Sequence, residues 1–444
     1  MVTLASDKEA FIAQYDQSKG NLPGSDIAWL SELRAKNIAL FEEVGLPTAK
    51  TELWKFTNLN PLKKQSFSAP SAQEQIFANS NELPRQLPRL LEINASHRLV
   101  FIDGHYSEDL SDKNLPAGVT LHNLSSAIKA GAADLKVALS SRAREEEQPL
   151  VALNTALMSD GYVLEIAKNT SVDCPIEILH LGGGKAEISY HNRNVISVGF
   201  GSKATIIEHV TDRSDHVYFS NSATEISVSE NATLHHYRVQ ASNRAAFLYS
   251  STEVVADKGA TYDNFLLNTG ARLSRTETNV SLNGENSSCH LNASYMGTDD
   301  QHCDITTRVD HKTPHTTCDE VIKGVLGGKA RGVFQGKIIV HEQAQKTVGN
   351  QSHRAMLLSD RAEVDAKPEL EIFADDVICS HGCTSGQIDK EQLFYLRSRG
   401  LTSEQAQALL VNAFLADAVE AVQNEDLKDL LLTKIVNWLE QNPN

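Results

Sequence analysis

The sequence predicts a mainly β protein, a right-handed parallel β-helix flanked by N-terminal and C-terminal helical regions. Three observations carry that prediction. Between Gly161 and His381, short alternating runs such as Tyr162–Ile166 and Ile176–His180 follow one another, punctuated by Gly, Asn and Asp. Polar turns with a small residue recur: Ala204, Ala232 and Ala260 stand 28 residues apart, and the next step lands on Ser288. No long helical pattern interrupts this stretch, so each coil stacks on the last and buries its inward side chains. An antiparallel sandwich would place turns every ~8–12 residues instead.

The flanks read differently. Residues 1 to about 60 are helical in pattern, with Ile27, Leu30, Leu33, Ile38, Phe41 and Val44 on one stripe. Ser25 or Asp26 would cap that helix, and Gly45-Leu46-Pro47 would end it. Trp54 and Phe56 read as anchors onto the body. A Ser-, Gln-, Asn- and Pro-rich linker is expected near 61–97, then a strand from Leu99 and helices near 124–130 and 150–159. The expected division is a cap region over 1–160, the β-helix over 161–388 and a partner-docking helical domain over 389–444. Asp389 and Thr402 are the expected helix caps, Thr402 with Gln405 three residues on. Both helical regions would cover the ends of the solenoid, because an open coil exposes unpaired strand edges.

Composition narrows the function. The chain has 444 residues and a formal net charge of −16, which disfavours a phosphate-tracking surface and hence nucleic acid. The N-terminus lacks a basic segment followed by an apolar one, and Ala406–Val422 is broken by Asn412, Asp417 and Glu420. A cytoplasmic protein without membrane association is expected, its six cysteines thiols. The glycines of Gly182–Lys185 and Gly327–Ala330 lack Walker A spacing, so no nucleotide is expected on this chain.

The densest chemistry lies at Cys379, His381 and Cys383. On a strand from Val377 to His381, Cys379 and His381 share one face. A thiolate beside an imidazole suits zinc, iron or an iron–sulfur cluster, but two ligands do not complete a site. A second group, Cys289, His290, His302, Cys303, His311, His315 and Cys318, has ligand types without ligand spacing, and reads mainly as coil positions. These residues alone leave a standalone zinc-binding β-helix protein or a β-helix carbohydrate-active enzyme open.

Around those residues the chain resembles the SufB/SufD family of the SUF iron–sulfur cluster assembly system. The similarity rests on Gly332–Ile338, Ala344–Thr347, Gln351, Leu357–Asp360, Lys367–Ile372, Asp375–Val377, Cys379–Gly382 and Phe394–Gly400. Upstream, Leu153–Ala156 before Asp160-Gly161 is similar as well. Ser380 between Cys379 and His381 resembles the SufD branch. Cys383, where the family usually has alanine, is read as a neutral substitution. The resemblance implies a β-helix between helical regions and a non-enzymatic scaffold role. It implies pairing with a SufB-like paralogue and a SufC-like ABC ATPase, or a homodimer when isolated. It further implies that Cys379 and His381 contribute to iron or a nascent iron–sulfur cluster shared with SufB.

Overall fold

Small buried residues set the pitch of the chain. In a computed structural model that describes residues 7–70, 97–131, 133–140, 148–184 and 187–442, Ser202, Ala232, Ala260, Ser287, Thr316 and Thr347 occupy equivalent corners. The carbonyl of each accepts the N–H that opens the next coil, from Thr233 to Ser202 (2.8 Å) through to Ile378 to Thr347 (2.9 Å). All six are at most 2% exposed, so a larger side chain would not fit. Their intervals are 30, 28, 27, 29 and 31 residues. The expected interval of 28 therefore holds only from Ala232 to Ala260. Ala204 instead pairs with Leu234, because loops absorb insertions while ladder hydrogen bonds hold the strands in register.

The strands alternate between two sheets. Ten strands run from the His97–Ile102/His105–Tyr106 pair to Ile378–Gln387, and nine run from Val119–Asn123 to Glu363–Ile372. All neighbours pair in parallel except at the N-terminal end. There His105–Tyr106 and Val119–Asn123 run antiparallel to their partners. The chain is thus a parallel β-solenoid, as the repeat predicts. An apolar cluster follows the lumen from Leu99 through Ile206, Ala260 and Cys318 to Ala374.

The N-terminal helices lie against the outer face of the nine-stranded sheet. Phe11, Phe41 and Leu62 from Asp7–Ser18, Ala28–Val44 and Asn60–Lys63, with Leu150 and Leu153 from Pro149–Leu157, pack on Phe219, Phe247 and Tyr249. Trp54 anchors this layer as expected. Its ring stacks on Tyr249 and lies 4.0 Å from the guanidinium of buried Arg275. Arg275 is neutralised by Glu277 (2.7 Å) and Asp304 (2.5 Å). The cap expected at Ser25 or Asp26 is not formed: Ser25 Oγ turns back to the Gly20 carbonyl, and Ile27 precedes the helix without a side-chain cap. A helix at Ala133–Ser140 was not foreseen, and 71–96, most of the expected linker, lies outside the described residues.

The C-terminal helices Lys390–Ser398, Ser403–Val419 and Glu425–Gln441 carry the predicted caps. Asp389 accepts from Glu391 and Gln392, and Thr402 forms a full capping box with Gln405. They do not close the end of the solenoid. Val411, Leu415, Leu427, Leu431 and Ile435 pack sideways on Tyr237, Phe265, Leu267 and Val325, outward residues of the ten-stranded sheet. A broad apolar sheet face outweighs a narrow coil end as a docking surface for amphipathic helices. Among the described residues nothing covers the last coil, which is open. Ile372, Phe373 and Ile378 stand at its rim, 42%, 63% and 71% exposed.

Candidate functional site

The open coil carries the residues singled out by the sequence. Ile378–Gln387 is the terminal strand of the ten-stranded sheet and pairs on one side only, with Val348–Leu357. The register sets Cys379 beside Gly349, His381 beside Gln351 and Cys383 beside His353. These alternate positions face the lumen, so the three side chains form a row across its mouth. Cys379 is half-buried and packs against the end of the luminal cluster, whereas His381 is exposed.

Gly349 shapes the space under Cys379. A methyl added there would lie 3.4 Å from Cys379 Sγ and 3.6 Å from Ile338. The glycine thus leaves a methyl-sized gap below the thiol. Burial raises the pKa of Cys379 and of Cys383, which disfavours the thiolate until a cation or donor approaches. Asp376, which the sequence sets beside the site, is instead tied to Lys346, by an ion pair and by backbone pairing at 2.6 Å.

The second Cys/His group is dispersed by the coil geometry. Cys289 and Cys318 are neighbours in the luminal column that continues through Gly349 to Cys379. His302 and Cys303 lie on the other sheet, and His290 faces outward and is exposed. His302 contacts the Thr57 hydroxyl (2.9 Å), and His311 contacts that of Thr316 (2.7 Å). Burial pushes both imidazoles down to about 4, so they stay neutral at physiological pH. Among the described residues no three His, Cys, Asp or Glu side chains converge as a metal site. Cys379 and His381 thus stand on one face of the last strand, with no third His, Cys, Asp or Glu side chain converging on them among the described residues.

The residues that sequence reading did not assign lie one and two coils inward. Gln351 and His353 form the floor of the mouth, and Glu320, fully buried beside Cys318, lies below Gln351. His353 is stacked on Phe334 at 4.9 Å and contacts the Tyr295 hydroxyl at 3.0 Å.

Two protein-family models match the chain. The model of the SUF system FeS cluster assembly SufBD core domain matches residues 180–414, and that of the SufBD protein N-terminal region matches 5–178. The chain belongs to the SufB/SufD family. It is 32% identical to the iron–sulfur cluster assembly protein SufD of Escherichia coli over 88% of this chain and 89% of that protein. It is 31% identical to a SufBD-family iron–sulfur cluster assembly protein of Synechocystis, over 92% of this chain and 91% of that one. The SufD of Bacillus subtilis is 24% identical over 92% of this chain and 93% of its own length. The family's core match ends at residue 414, inside the long helix Ser403–Val419, so it takes in both the open coil and the first C-terminal helix. Among the described residues no helix is long and apolar enough to cross a membrane.

Proposed function

We propose that this chain is a non-enzymatic scaffold subunit of a cytoplasmic SUF assembly complex. It pairs through its open coil with a SufB-like paralogue and carries a SufC-like ABC ATPase on its C-terminal helices. One observation supports this most strongly: the incomplete donor pair Cys379/His381 lies on an unpaired strand edge rimmed by exposed Ile372, Phe373 and Ile378. A partner's strand would satisfy the edge and bring the missing donors in one event. The cargo is iron or a nascent iron–sulfur cluster, handled as substrate. Thiolate and imidazole match its softness, and a shared, incomplete site lets the cargo leave again.

The exposed faces of the C-terminal helices suit the ATPase. Phe394 and Tyr395 are 73% and 55% exposed on Lys390–Ser398, a helix with no buried residue. The test is His381→Ala in the reconstituted complex. Fold and complex are expected intact, and cluster formation reduced. Normal cluster assembly by that variant would remove the assigned role. Stoichiometric zinc on the isolated chain, lost in Cys379→Ala and His381→Ala, would favour a standalone zinc protein instead.

A further inference from the structure

Beneath the candidate centre a side-chain amide is held at one end only. Gln351 is 2% exposed and stands in register between Glu320 and His381, on the same luminal column. Its Nε2 donates to Glu320 Oε2 at 3.0 Å, and Thr307 Oγ1 donates to the same oxygen at 2.9 Å. Its Oε1 is buried and has no partner. The amide reaches across the lumen to the facing sheet. A methyl on Gly336 would come within 2.2 Å of Gln351 Nε2, so glycine there makes room for it.

Glu320 Oε2 is an acceptor for both Thr307 Oγ1 and Gln351 Nε2, so it turns the NH2 end of Gln351 toward itself and the amide oxygen away. Leaving that oxygen buried and unpaired is costly, and so marks a place for a partner that arrives. The next side chain of the column is His381, exposed on the last strand. An imidazole that binds a metal through one nitrogen characteristically donates its other N–H to a carbonyl or carboxylate oxygen, which sets its tautomer and ring angle.

We propose that Gln351 is the positioning residue of the centre: its Oε1 accepts the ring N–H of His381 when the other ring nitrogen engages a metal ion, with Glu320 holding the amide in the required orientation. The inference rests on the reading of His381 as a ligand. Gly336 belongs to the same device, since it admits the amide. Gln351 itself touches no cargo.

Co(II) is the probe, titrated into the reconstituted complex at pH 8 and followed by the thiolate-to-cobalt absorption band. Gln351→Met keeps the shape and removes the acceptor, and binding is expected to weaken about 10-fold. The exchange Gln351→Glu/Glu320→Gln keeps the charge, returns an oxygen to position 351 and is expected to restore binding to within about 3-fold of the wild type. A purely structural role for Gln351 would not be rescued this way. Wild-type affinity in a normally melting Gln351→Met variant overturns the proposal. So does an exchanged pair that melts normally yet binds as weakly as Gln351→Met. If Gln351→Met does not fold, Glu320→Gln, which frees the amide to flip, takes its place with the same expected direction and the same overturning result. His381→Ala separates the two readings. Unchanged Co(II) binding there ends the ligand assignment itself, whereas loss there with none in the Gln351 variants ends only the positioning role.

Discussion

Lys323 Nζ lies 2.5 Å from Asp417 Oδ2, joining the ten-stranded sheet to the long C-terminal helix. The lysine is almost wholly buried, also donates to the Phe414 carbonyl at 2.7 Å, and lies over the Phe414 ring. Lys323→Met is therefore expected to loosen the helix Ser403–Val419 by about 1–3 kcal/mol while the solenoid melts normally. Hydrogen exchange resolved along the chain checks this. Faster exchange confined to the C-terminal helices is the expected result, and uniform exchange would show that the pin carries no weight.

The rim of the open coil allows a cleaner test of association. Ile378 is largely exposed and makes no contribution to a luminal layer above it, so Ile378→Lys is expected to change the stability of the single chain by less than about 0.5 kcal/mol. A charge at a strand edge opposes edge-to-edge pairing. Light scattering after size exclusion is expected to show loss of pairing with a SufB-like partner or a second copy. Pairing of normal strength would place the interface elsewhere.

Two glycines of the same end are expected to respond oppositely to alanine. At Gly349 the added methyl meets only ordinary contacts, Cys379 Sγ at 3.4 Å and Ile338 at 3.6 Å, so the fold should be kept or slightly stabilised. The gap under Cys379 would be filled, and slower alkylation of that thiol is the expected readout. At Gly336 the methyl would lie 2.2 Å from Gln351 Nε2 and 2.6 Å from Phe334, which predicts a loss of about 1–3 kcal/mol in denaturant unfolding.

Glu320 links stability to pH. Burial pushes its carboxyl up to about 7, against hydrogen bonds from Thr307 and Gln351 that favour the charged form. In the unfolded chain it titrates near the ordinary glutamate value, so between roughly 4 and 7 the folded state holds the extra proton. Its contribution is fully present below that window and is lost as pH rises through about 7. Glu320→Gln should flatten this part of the profile and gain stability relative to the wild type above pH 7. A constant difference between the two proteins from pH 4 to 8 would contradict it.

Much of this architecture was legible in residue patterns, because its causes are local. Alternation identifies strands such as Tyr162–Ile166, and side-chain chemistry marks the caps at Asp389 and Thr402. Cys379 and His381 could be assigned to one face because the period of a strand is two. What could not be read is whatever depends on register between coils. Gln351 lies under His381 across an interval of 30 residues, whereas the previous step, from Glu320, takes 31. No fixed repeat reveals such a column. The lateral packing of the C-terminal helices was hidden for a related reason. Tyr237, Phe265 and Val325 form one apolar face only after the coils have stacked, and that face, not the coil end, attracts Val411 and Leu415.

The two ends of the solenoid differ, and the difference limits what the chain can build. At the N-terminal end the pairing direction reverses at Val119–Asn123 and His105–Tyr106, whereas the C-terminal end stops in mid-pattern. A filament requires two adhesive ends on every unit, and here the parallel ladder offers one. In the pairing proposed above, end-to-end joining would consume both open edges at the first encounter and leave nothing to extend, so growth would halt at a pair.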